Sequence, residues 1–197
     1  MSMSETFQKR MQELYQSFIK FDALQKDRIQ RYRNIEPESA LFLAMQVRMQ
    51  QSKAILEIGT STGYSTLWLA NAAQTSQGHI TTLEIDPARS RKAQQYAQEL
   101  QLSERIDFWV GDAEQFLQNA AQQQYDFILL DAERDAYEGY WQYLQHMLHP
   151  KNGVLFVDNV ISHAAEVKQF IALVKNDERF MSTTLSMGAG LFMICYK

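Results

Sequence analysis

The chain has 197 residues, 46% hydrophobic and 21% charged, enough apolar material for a sizeable core in one globular domain over 1–197. Its formal net charge of -4 and isoelectric point near 5.6 exclude nucleic-acid binding through bulk charge, though not through a local basic patch. Cys195 is the single cysteine, which excludes an internal disulfide or thiolate metal cluster, and no apolar run approaches the roughly 20 residues of a membrane span. The opening stretch 1–10 lacks the apolar segment of a signal peptide, so a reducing cytoplasm and no membrane partner are expected.

Phe7, Met11, Leu14, Tyr15, Phe18, Phe21 and Leu24 mark one face of an amphipathic helix over about 6–30. That face must cover its own domain, a second subunit or a substrate pocket, and periodicity does not choose. The stretch from Lys26 to Arg33 is basic with Tyr32 interleaved. It suits an anionic substrate, while a solvated helix end is the plainer reading. Pro37 opens a second helix over about 38–49, on which Leu41, Met45 and Met49 form a stripe expected in the core. Residues 1–50 thus form an amino-terminal helical segment ahead of a core over 51–197.

The core opens with AILEIGTSTGYSTLWLA at 54–70, read as a strand, a tight turn and a helix. The turn has Gly59 and Gly63 at its ends and no bulky side chain between them, so a ligand can approach the backbone and the N–H groups of the following helix. About twenty residues on, Glu84 ends the next apolar run, a place from which a carboxylate can accept ribose hydroxyls. The unit reads as a nucleoside-binding strand-turn-helix-strand.

Asp86-Pro87 starts a helix to about 100, followed by strands over 106–110, 125–130 and 154–157 and a helix over 137–148 with Tyr140, Trp141, Leu144 and Leu148 inward. A helix over about 164–176 precedes two apolar runs, 180–185 and 191–196, joined by Ser-Met-Gly-Ala-Gly in the manner of a hairpin. Alternating strands and helices predict an α/β fold: a mostly parallel sheet ending in an antiparallel pair, with polar groups collected at the strands' carboxyl ends. Asp131 and the pair Asp158-Asn159 end two such strands. Their oxygens suit Mg²⁺, Mn²⁺ or Ca²⁺ as hard ligands, or the two aspartates cap the segments that follow.

The ordered set ILEIGTSTGYSTLWLA, TLEIDP, GDA, DFILLDAERDAY, GVLFVDNV and GAGLFMICYK resembles the cation-dependent class I S-adenosylmethionine O-methyltransferases. That family includes the catechol and caffeoyl-coenzyme A enzymes and small bacterial members. The resemblance implies a Rossmann-like sheet of seven strands with the last antiparallel, and commonly a homodimer. It places Glu57, Gly59, Ser61, Gly63 and Ser65 around the methionine part of the cofactor, Glu84 on its ribose, and Asp112 with Ala113 beside its adenine. It makes Asp131, Asp158 and Asn159 the metal ligands, with Asp131 also bordering the cofactor and, with Arg134, the reacting oxygen.

Position 134 departs from the family, which usually has a lysine there as general base. Arginine stays protonated and cannot accept the proton. Either Arg134 and the metal suffice for an acidic hydroxyl, or Asp135 or water takes the proton, or catalysis is weakened. Gly188-Ala189-Gly190 also departs, since relatives often carry an acid between the glycines. His163 is within reach of the pocket, although a loop histidine is its plainer reading. The expected reaction is methyl transfer to a hydroxyl with a neighbouring oxygen, as in a catechol-like phenol. Alternatives are a hydroxylated uridine of transfer RNA, a non-catalytic cofactor-binding protein, and a nicotinamide-dependent oxidoreductase. Against the last, Ser61 and Thr62 stand where G-x-G-x-x-G wants its second glycine and the residue after it.

Overall fold

A computed structural model describes residues 4–197; the first three residues of the stretch 1–10, expected to carry no leader, lie outside them. The helix α1 (Glu5–Leu24) starts at Ser4, whose hydroxyl accepts a hydrogen bond from Phe7 N at 3.1 Å. It buries Phe7, Met11, Leu14 and Phe18 as the periodicity predicts, but stops short of residue 30. Asp22 explains the stop: its carboxylate accepts the N–H groups of Tyr32 (2.7 Å) and Arg33 (3.0 Å), folding the chain back so that Tyr32 stacks on Phe21 at 4.1 Å.

Helix α2 (Pro37–Gln50) corrects one expectation. Its buried residues are Ser39, Ala40, Leu43, Ala44 and Val47, whereas Leu41, Met45 and Met49 are 43%, 51% and 69% exposed. Two apolar stripes fit the same period. The small side chains win because α3 (Tyr64–Ala73), itself buried on nearly every side, packs closely against them.

The sheet contains β1 (Ala54–Ile58), β2 (His79–Glu84), β3 (Ile106–Val110), β4 (Phe127–Leu130), β5 (Val154–Val157), β6 (Phe180–Leu185) and β7 (Leu191–Tyr196). Their order is β3-β2-β1-β4-β5-β7-β6, with only β7 antiparallel to its neighbours β5 and β6. This is the expected α/β sheet, and the hairpin turn carries Gly188 and Gly190 at φ 53° and 96°. Alternate side chains feed two cores: Ile55 faces α1, α2, α3 and α4 (Pro87–Glu99), while Leu56 faces α5 (Ala113–Asn119), α6 (Tyr137–Met147) and α7 (Lys168–Lys175). Strands buried on both faces read as continuous apolar runs for this reason.

Helix α5 has no counterpart in the sequence reading, because seven residues are too few to show a period. Helix α7 begins at Lys168 rather than near 164, the preceding residues forming turns. Trp141, Leu144 and Leu148 are buried as expected, but Tyr140 turns to the cleft at the top of the sheet. Among the described residues no helix is long and apolar enough to cross a membrane.

The two stripes are separable by stability. Met11→Ala, which opens a cavity beneath α1, is expected to cost about 2–5 kcal/mol, and Leu41→Ser or Met45→Ser within about 0.5 kcal/mol, in urea unfolding at a dilution where the chain is monomeric. Equal losses would return Leu41 and Met45 to the core.

Candidate active site

Strand order reverses between β1 and β4, and a cleft of about 490 Å³ opens there above the strand ends. Its lining includes Gly59, Ser61, Ser65, Glu84, Asp112, Ala113, Asp131, Arg134 and Asn159, so nine of the expected site residues meet in one space. Glu57, Gly63 and Asp158 do not line it.

The two turn glycines are required by protein packing. A Cβ on Gly59 (φ 105°) would overlap the Asp131 carbonyl oxygen, and one on Gly63 (φ 87°) would come within 2.8 Å of Ala93 Cβ on α4. Gly59 therefore lets β1 and β4 close together beneath the cleft, and Gly63 lets α3 and α4 touch. Between them Ser61, at φ 47°, donates its backbone N–H to Glu84 Oε2 (2.7 Å) and its hydroxyl to the Tyr32 carbonyl (2.8 Å). Glu84 Oε1 accepts Asp86 N at 3.0 Å. Two backbone donors thus fix the carboxylate, which is nearly buried, at the cleft wall.

Glu57 lies beneath the turn, fully buried, accepting hydrogen bonds from the hydroxyls of Thr66 and Thr82, the latter at 2.6 Å. Burial pushes its carboxyl up, against the opposing pull of the Ser65, Thr66 and Thr82 hydroxyls. It joins β1 to α3 and β2 from below. Asp112 caps α5, accepting Glu114 N at 3.0 Å, and is exposed at the cleft edge beside Ala113 and Tyr140.

At the other end, Asn159 Nδ2 donates to Asp131 Oδ1 (3.1 Å) and Asp158 Oδ2 (3.0 Å). Asp158 is 1% exposed and its Oδ1 has no partner. Burial raises its carboxyl to about 7, opposed by the Asn159 N–H and reinforced by Glu36. Burial raises Asp131 too, with Asp158, Glu57 and Glu36 adding repulsion. Among the described residues no three or more His, Cys, Asp or Glu are grouped to hold a metal, so any set here depends on the Asn159 amide as third member. Two carboxylates, one of them with an orphaned buried oxygen, and the Asn159 amide, once it turns its oxygen rather than its Nδ2 inward, are nevertheless a hard donor set that fits a divalent cation.

Arg134 is buried at the cleft; its Nε donates to Glu166 at 2.6 Å and its Nη2 has no partner. Asp135 is exposed and outside the cleft lining. His163 lines the cleft with Nδ1 2.8 Å from Ser162 Oγ, a placement that its position four residues after Asn159 foreshadowed. The basic stretch is engaged with its own protein: Arg28 and Arg33 pair with Glu133, Arg31 donates to the Gln25 carbonyl, and Arg89 donates to the Ile29 and Arg31 carbonyls. Residues 25–36 thereby form a strap across the cleft, a contribution that the amino-terminal periodicity did not reveal. Glu36, missed for the same reason, also lines the cleft.

A carboxyl raised in the folded state contributes stability that is full below the ordinary carboxylate range, near 4, and is lost as pH rises through its folded value. For Asp158 that loss runs up to about 7. Metal-free protein is therefore expected to lose thermal stability from pH 5 to 8, and Asp158→Asn to flatten the slope, in melting scans across that range. An unchanged slope in the variant would place the titration elsewhere.

The O-methyltransferase family model matches residues 8–197. A catechol O-methyltransferase of Niastella koreensis is 33% identical over 132 residues, 65% of this chain and 58% of that enzyme. One from Mycobacterium tuberculosis is 32% identical over 127 residues, 64% and 57% respectively. The chain thus matches under two thirds of the length of these relatives. Among solved structures, the O-methyltransferase from Bacillus cereus in complex with SAH superposes with a TM-score of 0.78 at 25% identity, covering 95% of this chain and 90% of that one. Cofactor-bound Rv0187 from MTB gives 0.81 at 22%, covering 95% and 89%, a likeness of fold. On the family match across nearly its whole length, with this doubly wound, Rossmann-like sheet, the chain belongs to the O-methyltransferase family.

Proposed function

We propose that the protein transfers the methyl group of S-adenosylmethionine to a hydroxyl with a neighbouring oxygen, as in a catechol-like phenol, with help from a divalent cation. The observation that carries this reading is the pair of enclosed carboxylates, Asp131 and Asp158, bridged by Asn159 at one end of a cleft whose other end holds Glu84. The names of the relatives support the cofactor and the phenolic class.

The reaction is an in-line displacement: the hydroxyl oxygen forms a bond to the methyl carbon as the carbon–sulfur bond breaks, leaving S-adenosylhomocysteine and a proton for water. Glu84, oriented by Ser61 N and Asp86 N, accepts the ribose hydroxyls. The turn 59–63, with Ser61 and Ser65, borders the methionine part, and Asp112, Ala113 and Tyr140 border the base. Glu57 acts through the turn it supports, and Gly63 through its packing on α4. Asp131, Asp158 and Asn159 would hold Mg²⁺, or Mn²⁺ or Ca²⁺; when bound, such an ion orients adjacent oxygens and lowers the hydroxyl pKa.

Arg134, held by Glu166, presents a cation to the developing phenolate oxygen without accepting its proton. Asp135, directed away from the cleft, is not favoured as the acceptor, so water is. Arg28 and Arg33 are paired with Glu133 across the cleft rather than extended from the surface, and the phenolic names of the relatives favour the small phenol over transfer RNA.

Labelled-methyl transfer to a catechol panel is expected with Mg²⁺ and to vanish with a chelator. Asp158→Ala should lower kcat/KM by about 100-fold or more, comparable to losing a tuned metal or electrostatic group. Mg²⁺ should also raise the melting temperature more at pH 8 than at pH 5, as it replaces protons on the pair. Transfer that survives chelation would overturn the metal role. Transfer to nothing, with cofactor bound, would favour a binding protein, and gain of transfer in Arg134→Lys would then identify arginine as the block.

A homodimer is proposed through the exposed Leu41, Met45 and Met49 stripe of α2. Light scattering should give twice the chain mass, falling to one chain in Met45→Lys; a wild-type monomer would refute it.

A further inference from the structure

The strap brings arginines to the cleft that neither the cofactor contacts nor the metal set uses. Arg33 sits at φ 52°, a left-handed backbone that non-glycine residues seldom adopt, and Asp22 holds it there by accepting its N–H at 3.0 Å. Such conformations concentrate at ligand sites, where the surrounding structure sustains their strain. Here the turn sends the side chain across the cleft to Glu133, on the loop after β4. Arg28 reaches the same carboxylate at 3.7 Å. Two guanidinium groups thus share one acid, and one positive charge of the strap is left over.

A guanidinium carries its N–H donors in a planar fork that matches a carboxylate. Among the described residues the Arg33 fork makes its side-chain hydrogen bond from Nη2 to Glu133, and its Nε is enclosed without a partner. With 31% of the side chain exposed on the cleft lining, the rest of the fork is open to a ligand. Its charge reaches the acid pair as well: burial and neighbouring acids raise the Asp131 carboxyl, and Arg33 pulls against them. Arg134, by contrast, has Glu166 to itself, and Glu36 is turned to the β6–β7 turn, where Oε2 accepts Ala189 N at 3.3 Å. The cleft therefore offers opposite charges to the two ends of an acceptor, acids on one side and surplus arginine on the other.

We propose that Arg33 forms an anion subsite for the acceptor, so that the phenol taken by the cleft carries a carboxylate on its ring, away from the two neighbouring oxygens. This rests on the proposed methyl transfer to a hydroxyl with a neighbouring oxygen, and it narrows that class from neutral catechols to anionic ones. The paired oxygens face Asp131, Asp158 and Asn159, while the carboxylate takes the Arg33 fork in charge-assisted hydrogen bonds. Glu133 is the ligand's competitor for that fork. When Arg33 turns to the ligand, Arg28 stays with Glu133, so neither acid is left without a cation.

Protocatechuate, a catechol with a ring carboxylate, and its methyl ester are the probes, since they differ in charge. The ester's hydroxyls are the more acidic, so chelation by the metal alone would favour the ester. Calorimetric binding at neutral pH to the protein with S-adenosylhomocysteine and Mg²⁺ reads the contact without turnover. Wild type is expected to bind the acid at least about tenfold more tightly than the ester, the size of one charge-assisted hydrogen bond. Arg33→Gln should narrow the ratio to about twofold, what a partly exposed Arg28 can still supply. Glu133→Gln, which frees the fork, should widen the ratio by about threefold or more, whereas loss of a mere fastening would weaken both probes alike. A wild type that binds both probes alike or neither, a full ratio kept in Arg33→Gln, or a ratio that fails to widen in Glu133→Gln would overturn the proposal, leaving the pair as a fastening for the strap. Protocatechuate bound with the expected preference but never methylated from S-adenosylmethionine would instead overturn the methyl-transfer reading while the Arg33 contact stood.

Discussion

The close approach of β1 and β4 at the centre of the sheet is the constraint on which the site depends. Asp131 N donates to the Ile58 carbonyl at 2.9 Å, and the absence of a side chain on Gly59 lets the first turn lie against the Asp131 carbonyl. Chain direction out of the sheet differs on either side of this seam: β1 leads into α3 on one face, β4 toward α6 on the other. The space between the diverging connections is the cleft. A bulkier residue at position 59 would part the strands that carry Glu84's neighbours and Asp131.

Around that seam the protein accumulates negative charge that it does not neutralise internally. Asp131, Asp158 and Glu36 lie close enough to repel one another, while Arg134 is engaged by Glu166 and Arg33 by Glu133. Burying like charges together is unfavourable, and the raised carboxyls express that cost as a preference for protons. The same imbalance favours any cation or hydrogen-bond donor that enters. Stability given up in the empty cleft thus becomes affinity in the filled one, in keeping with the functional concentration of perturbed groups.

The amino-terminal segment is more than a cover for the core. Apolar residues of α1 seal α3 and α4, through contacts such as Phe7 with Trp68 and Phe18 with Tyr96. The strap 25–36 then crosses to the other wall, tied by Asn34 to Thr62 at 2.9 Å and by Arg33 to Glu133. Its last residue, Glu36, reaches the β6–β7 turn. One short segment therefore touches the turn after β1, the loop after β4 and the carboxyl-terminal hairpin.

The sequence by itself determined the strand series, the doubly wound class and most of the residues that meet at the candidate site, because those depend on local signals: apolar runs, turn glycines and acids at strand ends. Glu84, Asp131, Asp158 and Asn159 were legible since Glu84 ends β2, Asp131 follows β4 and the Asp158-Asn159 pair follows β5, strands whose direction fixes where they end. Tertiary structure alone decided which stripe of α2 is buried, since Leu41, Met45 and Met49 fit a helical period as well as the small residues that pack on α3. It alone turned Tyr140 to the cleft, put Glu57 beneath the turn, engaged the arginines of the strap, and brought Glu36 to Ala189, 153 positions away in the chain. Contacts of that separation leave no periodic trace, because their partners are chosen by the shape of the folded sheet and not by neighbours along the backbone.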